Sequence, residues 1–161
     1  MKLITQLGPH CLLYSAAMVL NTPVEVLRKE IGYTGNEIWW PNAKKPVHRL
    51  RTFHMQEIID CALRRNIALT PIEVLPRMSP EGMEDNWKLM ADEIRLRSRI
   101  QEYLKNRIGI LIGTKPSGPH AVAWAENHIY DPSPIQGGIY ELGKSMIEFR
   151  ICEFWMANRI Q

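Results

Sequence analysis

Of the three cysteines in the chain, Cys11 is the one whose surroundings suit a nucleophile. It follows Gly8-Pro9, a break in regular structure, and opens a helical pattern. In that pattern Leu12, Ala16 and Val19 form one apolar stripe, with Leu13, Ala17 and Leu20 beside it. A cysteine attacks as its thiolate, and the dipole and open N–H groups of a helix N-terminus favour that anion. Cys61 falls inside a predicted helix and Cys152 inside a predicted strand, so both read as core residues. Gln6 stands five residues before Cys11. Its side-chain amide could join the Cys11 N–H as a donor to an oxyanion.

The base must come from elsewhere, and there are five histidines. His10 adjoins Cys11, but neighbours at a helix start diverge. His48 lies in a basic loop, His54 begins a helix and can help cap it, and His128 alternates outward on a strand. His120 follows Ser117-Gly118-Pro119 and opens the apolar run Ala121-Val122-Ala123-Trp124, the start of a central strand. If Glu126-Asn127 is a two-residue turn, Ala125 opposes His128 and Val122 opposes Asp131. His120 and Asp131 are then diagonal neighbours on one face, about 7–8 Å apart between backbones and within reach of an Asp–His hydrogen bond. A loop one residue longer would send Asp131 to the other face. Each residue also has a plainer role: Cys11 as a small buried residue, Gln6 as a surface amide, Asp131 as a turn former before Pro132.

The elements needed to position these groups can be read along the chain. Leu3 to Gln6 reads as a short strand. The Cys11 helix ends at Asn21, and Thr22-Pro23-Val24-Glu25 reads as a capping box for a second helix ending at Gly32. Residues 33–52, with Trp39, Trp40, Pro41 and Pro46, read as a long structured loop. A third helix is expected from Phe53 to Arg65, a strand from Ile67 to Leu75, a linker from 76 to about 86, and a fourth helix to Asn106. Strands follow at Ile108–Ile112, His120–Trp124, His128–Asp131, Ile135–Leu142 and Met146–Phe154. Helices first and an antiparallel sheet afterwards make an α+β fold. The 161 residues suit a single domain, with a helical lobe over about 1–75 and a helix-plus-sheet lobe over about 87–161.

Net charge is +3, too mild to point to nucleic acid, and the basic clusters at 44–51 and 95–107 read as solvated faces. The apolar start Met1-Lys2-Leu3-Ile4 meets polar Thr5-Gln6 too soon for a secretory signal, and no stretch is long enough to span a membrane. An odd number of widely spaced cysteines points to reduced thiols, so a cytoplasmic protein is expected. No cofactor or metal is expected. His54 and Cys61 could share a helix face, but no ligand cluster completes a site, and Gly137-Gly138 is not a phosphate loop.

Two segments bear a resemblance to a known group. Gln6-Leu7-Gly8-Pro9-His10-Cys11-Leu12-Leu13-Tyr14-Ser15-Ala16-Ala17-Met18-Val19-Leu20 resembles the nucleophile helix of papain-like cysteine peptidases. It is most similar to the bacteriocin-processing, double-glycine-leader peptidases and their stand-alone relatives. Gly118-Pro119-His120-Ala121-Val122-Ala123-Trp124 and Asn127-His128-Ile129-Tyr130-Asp131-Pro132 resemble that family's His strand and Asp-Pro strand, and Arg107-Ile108-Gly109-Ile110-Leu111-Ile112 resembles the strand before them. His10 and Leu12 around the nucleophile depart from the family's acidic residue and Cys-Gly. The resemblance implies a papain-like fold, a nucleophile helix packed on a C-terminal antiparallel sheet. It implies Cys11 as nucleophile, His120 as base, Asp131 as orienter and Gln6 in the oxyanion hole. The expected activity is that of a cysteine peptidase, its partner a peptide or protein substrate, with Trp39, Trp40 and Gly118 as candidate substrate contacts. Other readings on the same scaffold are a transglutaminase-like acyl transferase, an amidase, a peptidoglycan endopeptidase, or a silent peptide-binding module.

Overall fold

From Cys11 onward apolar residues occupy nearly every side of the helical wheel, and the segment forms a buried helix, α1 (Cys11–Val19). Asn21, with φ of 47° in the left-handed region, turns the chain away. The computed structural model describes residues 1–36, 38–39, 49–50, 52–73, 101–115, 118–135, 137–142 and 149–161. Helix α2 (Val24–Ile31) is amphipathic, buries Leu27, and ends at Gly32, whose φ of 87° is cheapest for glycine. The capping box expected at Thr22 does not form. Pro23 is the N-cap, and the Thr22 hydroxyl instead donates to Leu20 O (3.0 Å) and accepts from Arg65 Nε (3.0 Å). Helix α3 (Met55–Leu63) starts with the His54 N–H bound to Glu57 at 2.7 Å and buries Ile58, Cys61 and Ala62. Arg65 then ties α3 to α2 through Glu30 at 2.7 Å.

The loop expected over 33–52 contains a short antiparallel pair, β1 (Ile38–Trp39) and β2 (Arg49–Leu50). Two residues per strand are too few to leave a periodic signature. Residues 3–6, expected as a strand, join no sheet; Ile4 N–H instead points to the Met18 sulfur at 3.3 Å. The linker expected at 76–86 and most of the fourth helix lie outside the described residues; of that helix 101–106 are described, and 101–104 are helical.

The remaining strands are β3 (Ile67–Glu73), β4 (Gly109–Lys115), β5 (Gly118–Ala125), β6 (His128–Asp131), β7 (Gly138–Glu141) and β8 (Arg150–Arg159). They form one six-stranded antiparallel sheet in the order β3-β8-β4-β5-β6-β7, so the fold is α+β. Strand β3 follows the helices in sequence yet forms an edge of this sheet, where Pro71, which has no N–H, is tolerated. Pairing with β3 from Ile67↔Arg159 carries β8 five residues beyond the Phe154 end expected from the sequence.

The sheet separates two apolar clusters. On one face Ala121, Ala123, Ala125, Ile110 and Tyr130 meet Leu13, Ala16 and Ala17 of α1 and the buried residues of α2 and α3. On the other, Leu111, Val122, Trp124, Ile129, Ile151 and Phe154 pack with Leu104 and Phe149. Each fully buried Leu, Ile or Phe contributes about 1.5–3 kcal/mol relative to exposure. No helix among the described residues is long and apolar enough to cross a membrane.

Gly109 marks the tightest approach in this second cluster. A Cβ there would press into the Trp155 carbonyl oxygen and the Phe154 ring. Gly109→Ala should therefore cost about 1–3 kcal/mol, read as a lower urea midpoint. An unchanged midpoint would contradict the packing described.

Candidate active site

The register of the β5–β6 hairpin decides what meets at its open end. Glu126 and Asn127 both take positive φ, 53° and 61°, the requirement of a two-residue type I′ turn. Ala125 pairs with His128 and Ala123 with Tyr130. His120 and Asp131 therefore come together on one face, and His120 Nε2 and Asp131 Oδ1 are 2.8 Å apart. Asp131 is 4% exposed and His120 10%. A buried carboxylate must be compensated, and Asp131 has two further partners. The Ser133 N–H donates to Oδ1 at 2.9 Å, and Lys115 Nζ, from the end of β4, donates to Oδ2 at 2.6 Å.

The nucleophile candidate arrives from the other side of the chain. Cys11 is the first residue of α1 and is half-buried; all three cysteines are free thiols. One turn further on, fully buried Ser15 donates its hydroxyl to the carbonyl of Ala121, the residue after His120, at 3.1 Å. Residues four apart share a helix face, so this bond fixes the Cys11 end of α1 against the His120 end of β5. The Cys11 thiol is near enough to the His120 ring to favour its charged form. Nε2 is the ring nitrogen engaged by Asp131.

Gln6 is drawn to the same place by its backbone: its N–H donates to the carbonyl of Pro132, next to Asp131, at 2.7 Å. The side-chain Oε1 of Gln6 is buried without a hydrogen-bond partner among the described residues. Gly118, at the start of β5 with φ of 124°, has open space where a Cβ would stand. Trp39 is described only as part of β1, and Trp40 lies outside the described residues. His10 is buried and faces away from this role, with Nε2 3.0 Å from Asn36 Oδ1 and its ring edge against Phe53. Cys61 is fully buried as expected, whereas Cys152 is half-buried. Among the described residues no three His, Cys, Asp or Glu side chains converge as metal ligands would.

Sequence reasoning missed Lys115, Ser15 and Phe149. Lys115 closes β4, and nothing local in the sequence marks its partner. Ser15 carried a usable signal, since a hydroxyl inside an all-apolar helix needs a buried acceptor. Phe149 packs edge-on against His120 at 5.9 Å, a contact no spacing rule reveals.

Electrostatics follow from this geometry. Burial disfavours the His120 imidazolium, but the hydrogen bond to Asp131, the Cys11 thiol and the charges of both outweigh it and raise its pKa from 6.5 to about 9. Burial likewise disfavours the Asp131 carboxylate. The hydrogen bonds from His120, Lys115 and the Ser133 N–H, and the imidazolium charge, overcome this and hold its pKa below the ordinary value.

The two shifts act on opposite sides of the pH scale. His120 has a raised folded-state pKa, so its stabilisation is complete below pH 6.5 and is lost as pH rises through about 9. Asp131 has a depressed one, so its stabilisation is present above the free-carboxylate range and lost as pH falls below it. Urea midpoints of the protein and of His120→Gln should accordingly differ most near pH 6 and converge toward alkaline pH. A gap that stays constant from pH 6 to above the raised value would refute the assignment. Comparison of the chain with family models, with characterised proteins and with solved structures finds no match.

Proposed function

We propose that this chain is a papain-like cysteine peptidase that cleaves a peptide or isopeptide bond through an acyl-enzyme on Cys11. The observation that carries the reading is the His120 ring, hydrogen-bonded to buried Asp131 on one side and neighboured by a thiol at a helix N-terminus on the other. With its pKa raised to about 9, His120 is an imidazolium at neutral pH. A neighbouring imidazolium and a helix N-terminus both favour the thiolate form of a cysteine.

In this mechanism the Cys11 sulfur attacks the substrate carbonyl carbon and the carbonyl electrons move to oxygen. The Cys11 backbone N–H and the Gln6 side-chain amide hold that oxyanion. As the tetrahedral intermediate collapses, the C–N bond breaks and His120 gives its proton to the leaving amine. Neutral His120 then takes a proton from water, which attacks the thioester and releases a free carboxylate. Capture of the thioester by an amine would instead make the enzyme a transferase, and the product distinguishes the two. A thiol nucleophile must stay reduced, which fits a reducing compartment such as the cytoplasm.

The first test needs no substrate. Iodoacetamide at pH 6, read by peptide mass spectrometry, should label Cys11 ahead of Cys152, and His120→Ala should remove that advantage. Equal, slow labelling of both thiols in the unaltered protein would count heavily against the dyad. With a cleavable peptide found by library screening, Cys11→Ala should abolish turnover. Gln6→Ala should cost about 10²–10³-fold in rate, the scale of one oxyanion donor; unchanged turnover would remove Gln6 from the site.

A further inference from the structure

A general acid must shed its proton and regain it in each cycle, and this raises a problem for Asp131. While His120 is charged, the imidazolium compensates the buried carboxylate. Once the proton has gone to the leaving group, that compensation disappears, and a carboxylate that is 4% exposed would pull the proton back. A second, permanent cation is already in place. Lys115 is 12% exposed and its Nζ is 2.6 Å from Asp131 Oδ2. The two carboxylate oxygens are divided between the partners: Oδ1 faces His120 and the Ser133 N–H, Oδ2 faces Lys115.

Resting on the peptidase reading, we propose that Lys115 is a positioning residue whose ammonium keeps Asp131 ionised while His120 is neutral, so that the imidazole can release its proton as well as hold it. The topology explains how it gets there. Gly113 of β4 is the cross-strand partner of His120, and Lys115, two residues on, lies on the same strand face as Gly113 and pairs with Gly118. A register shift between Ile112 and Gly113, where β4 pairs with β8, marks a local irregularity just before this stretch.

A buried ion pair is weak as a device for stability, because its desolvation offsets its attraction. The placement makes sense as charge control over the ring. The groups acting on His120 are Asp131 from β6, the Cys11 thiol from α1 and the edge of Phe149 ahead of β8; those acting on Asp131 are His120, Lys115 and the Ser133 N–H. Lys115 is the one among them placed on the carboxylate oxygen that His120 does not touch.

The test titrates His120 by NMR in resting protein labelled with nitrogen-15 histidine, in the unaltered chain, Lys115→Met and Lys115→Arg. Removing the cation leaves Asp131 to the imidazolium alone, so in Lys115→Met the His120 midpoint should rise by about one pH unit, the size of one nearby charge at intermediate dielectric. Lys115→Arg keeps the charge and should keep the midpoint. An unchanged or lowered midpoint in Lys115→Met overturns the proposal, as does an equal rise in Lys115→Arg. On a cleaved peptide, Lys115→Met should lower kcat with little change in KM and move the alkaline limb upward. The two ideas fail separately. A titration indifferent to Lys115, with Cys11 alkylation still dependent on His120, sinks the lysine role and leaves the dyad. Alkylation indifferent to His120 sinks the peptidase whatever the titration does.

Discussion

Asp131 brings a carboxylate into a place almost without solvent, and the surrounding structure is arranged to make that tolerable. A buried charge costs several kcal/mol unless it is paired and hydrogen-bonded. Three donors from different stretches of chain meet the requirement: the imidazole on β5, the ammonium on β4 and an N–H just past β6. None of them would arrive without the sheet. The left-handed pair Glu126-Asn127 sets the β5–β6 register, and the β4–β5 pairing sets Lys115 beside it. A slip of one residue in the β5–β6 pairing would turn the carboxylate to the opposite face, toward the apolar contacts of α1.

The helix is held to this arrangement by packing rather than by charge. Ala16 and Ala17 of α1 and Ala121, Ala123 and Ala125 of β5 belong to one buried cluster. Small residues on both surfaces let the helix and strand backbones approach closely. Close approach is also what lets Ser15 reach a strand carbonyl. That hydroxyl is the polar member of an otherwise apolar contact, and it adds direction to a surface on which alanines alone could slide. The thiol and the imidazole thus belong to two elements locked together one helical turn away, the kind of support a reactive constellation needs.

How much of this was legible in the sequence depended on whether the signal was local. The α1 helix, its polar-then-apolar entry at Cys11 and the hairpin register all follow from residues close in sequence, and the Asp131–His120 approach follows from the register. The α+β layout followed from helices preceding strands, but the place of β3 did not. Its partner β8 lies some eighty residues on, and its pairing lengthened β8 beyond what alternation suggested. Thr22 misled for a similar reason: its local pattern is a capping box, yet a distant arginine, Arg65, and the Leu20 carbonyl take its hydroxyl. Residues 3–6 have strand-like composition, but Leu3 and Ile4 meet their apolar demand by packing on the helical cluster, so no ladder forms. Lys115 was missed because burial of a lysine is set by its partner, and that partner lies on the next hairpin.

The same distinction explains why the site is built with a surplus of polar partners. With only His120 beside it, Asp131 would have one oxygen compensated by a group whose charge titrates. An apolar neighbour in place of Lys115 could be equally good for folding, and it would leave proton release opposed by the low dielectric around it. Lys115 on one oxygen and the His120 ring on the other divide the compensation of Asp131 between two groups. The 2.8 Å contact between Nε2 and Oδ1 holds the ring in orientation.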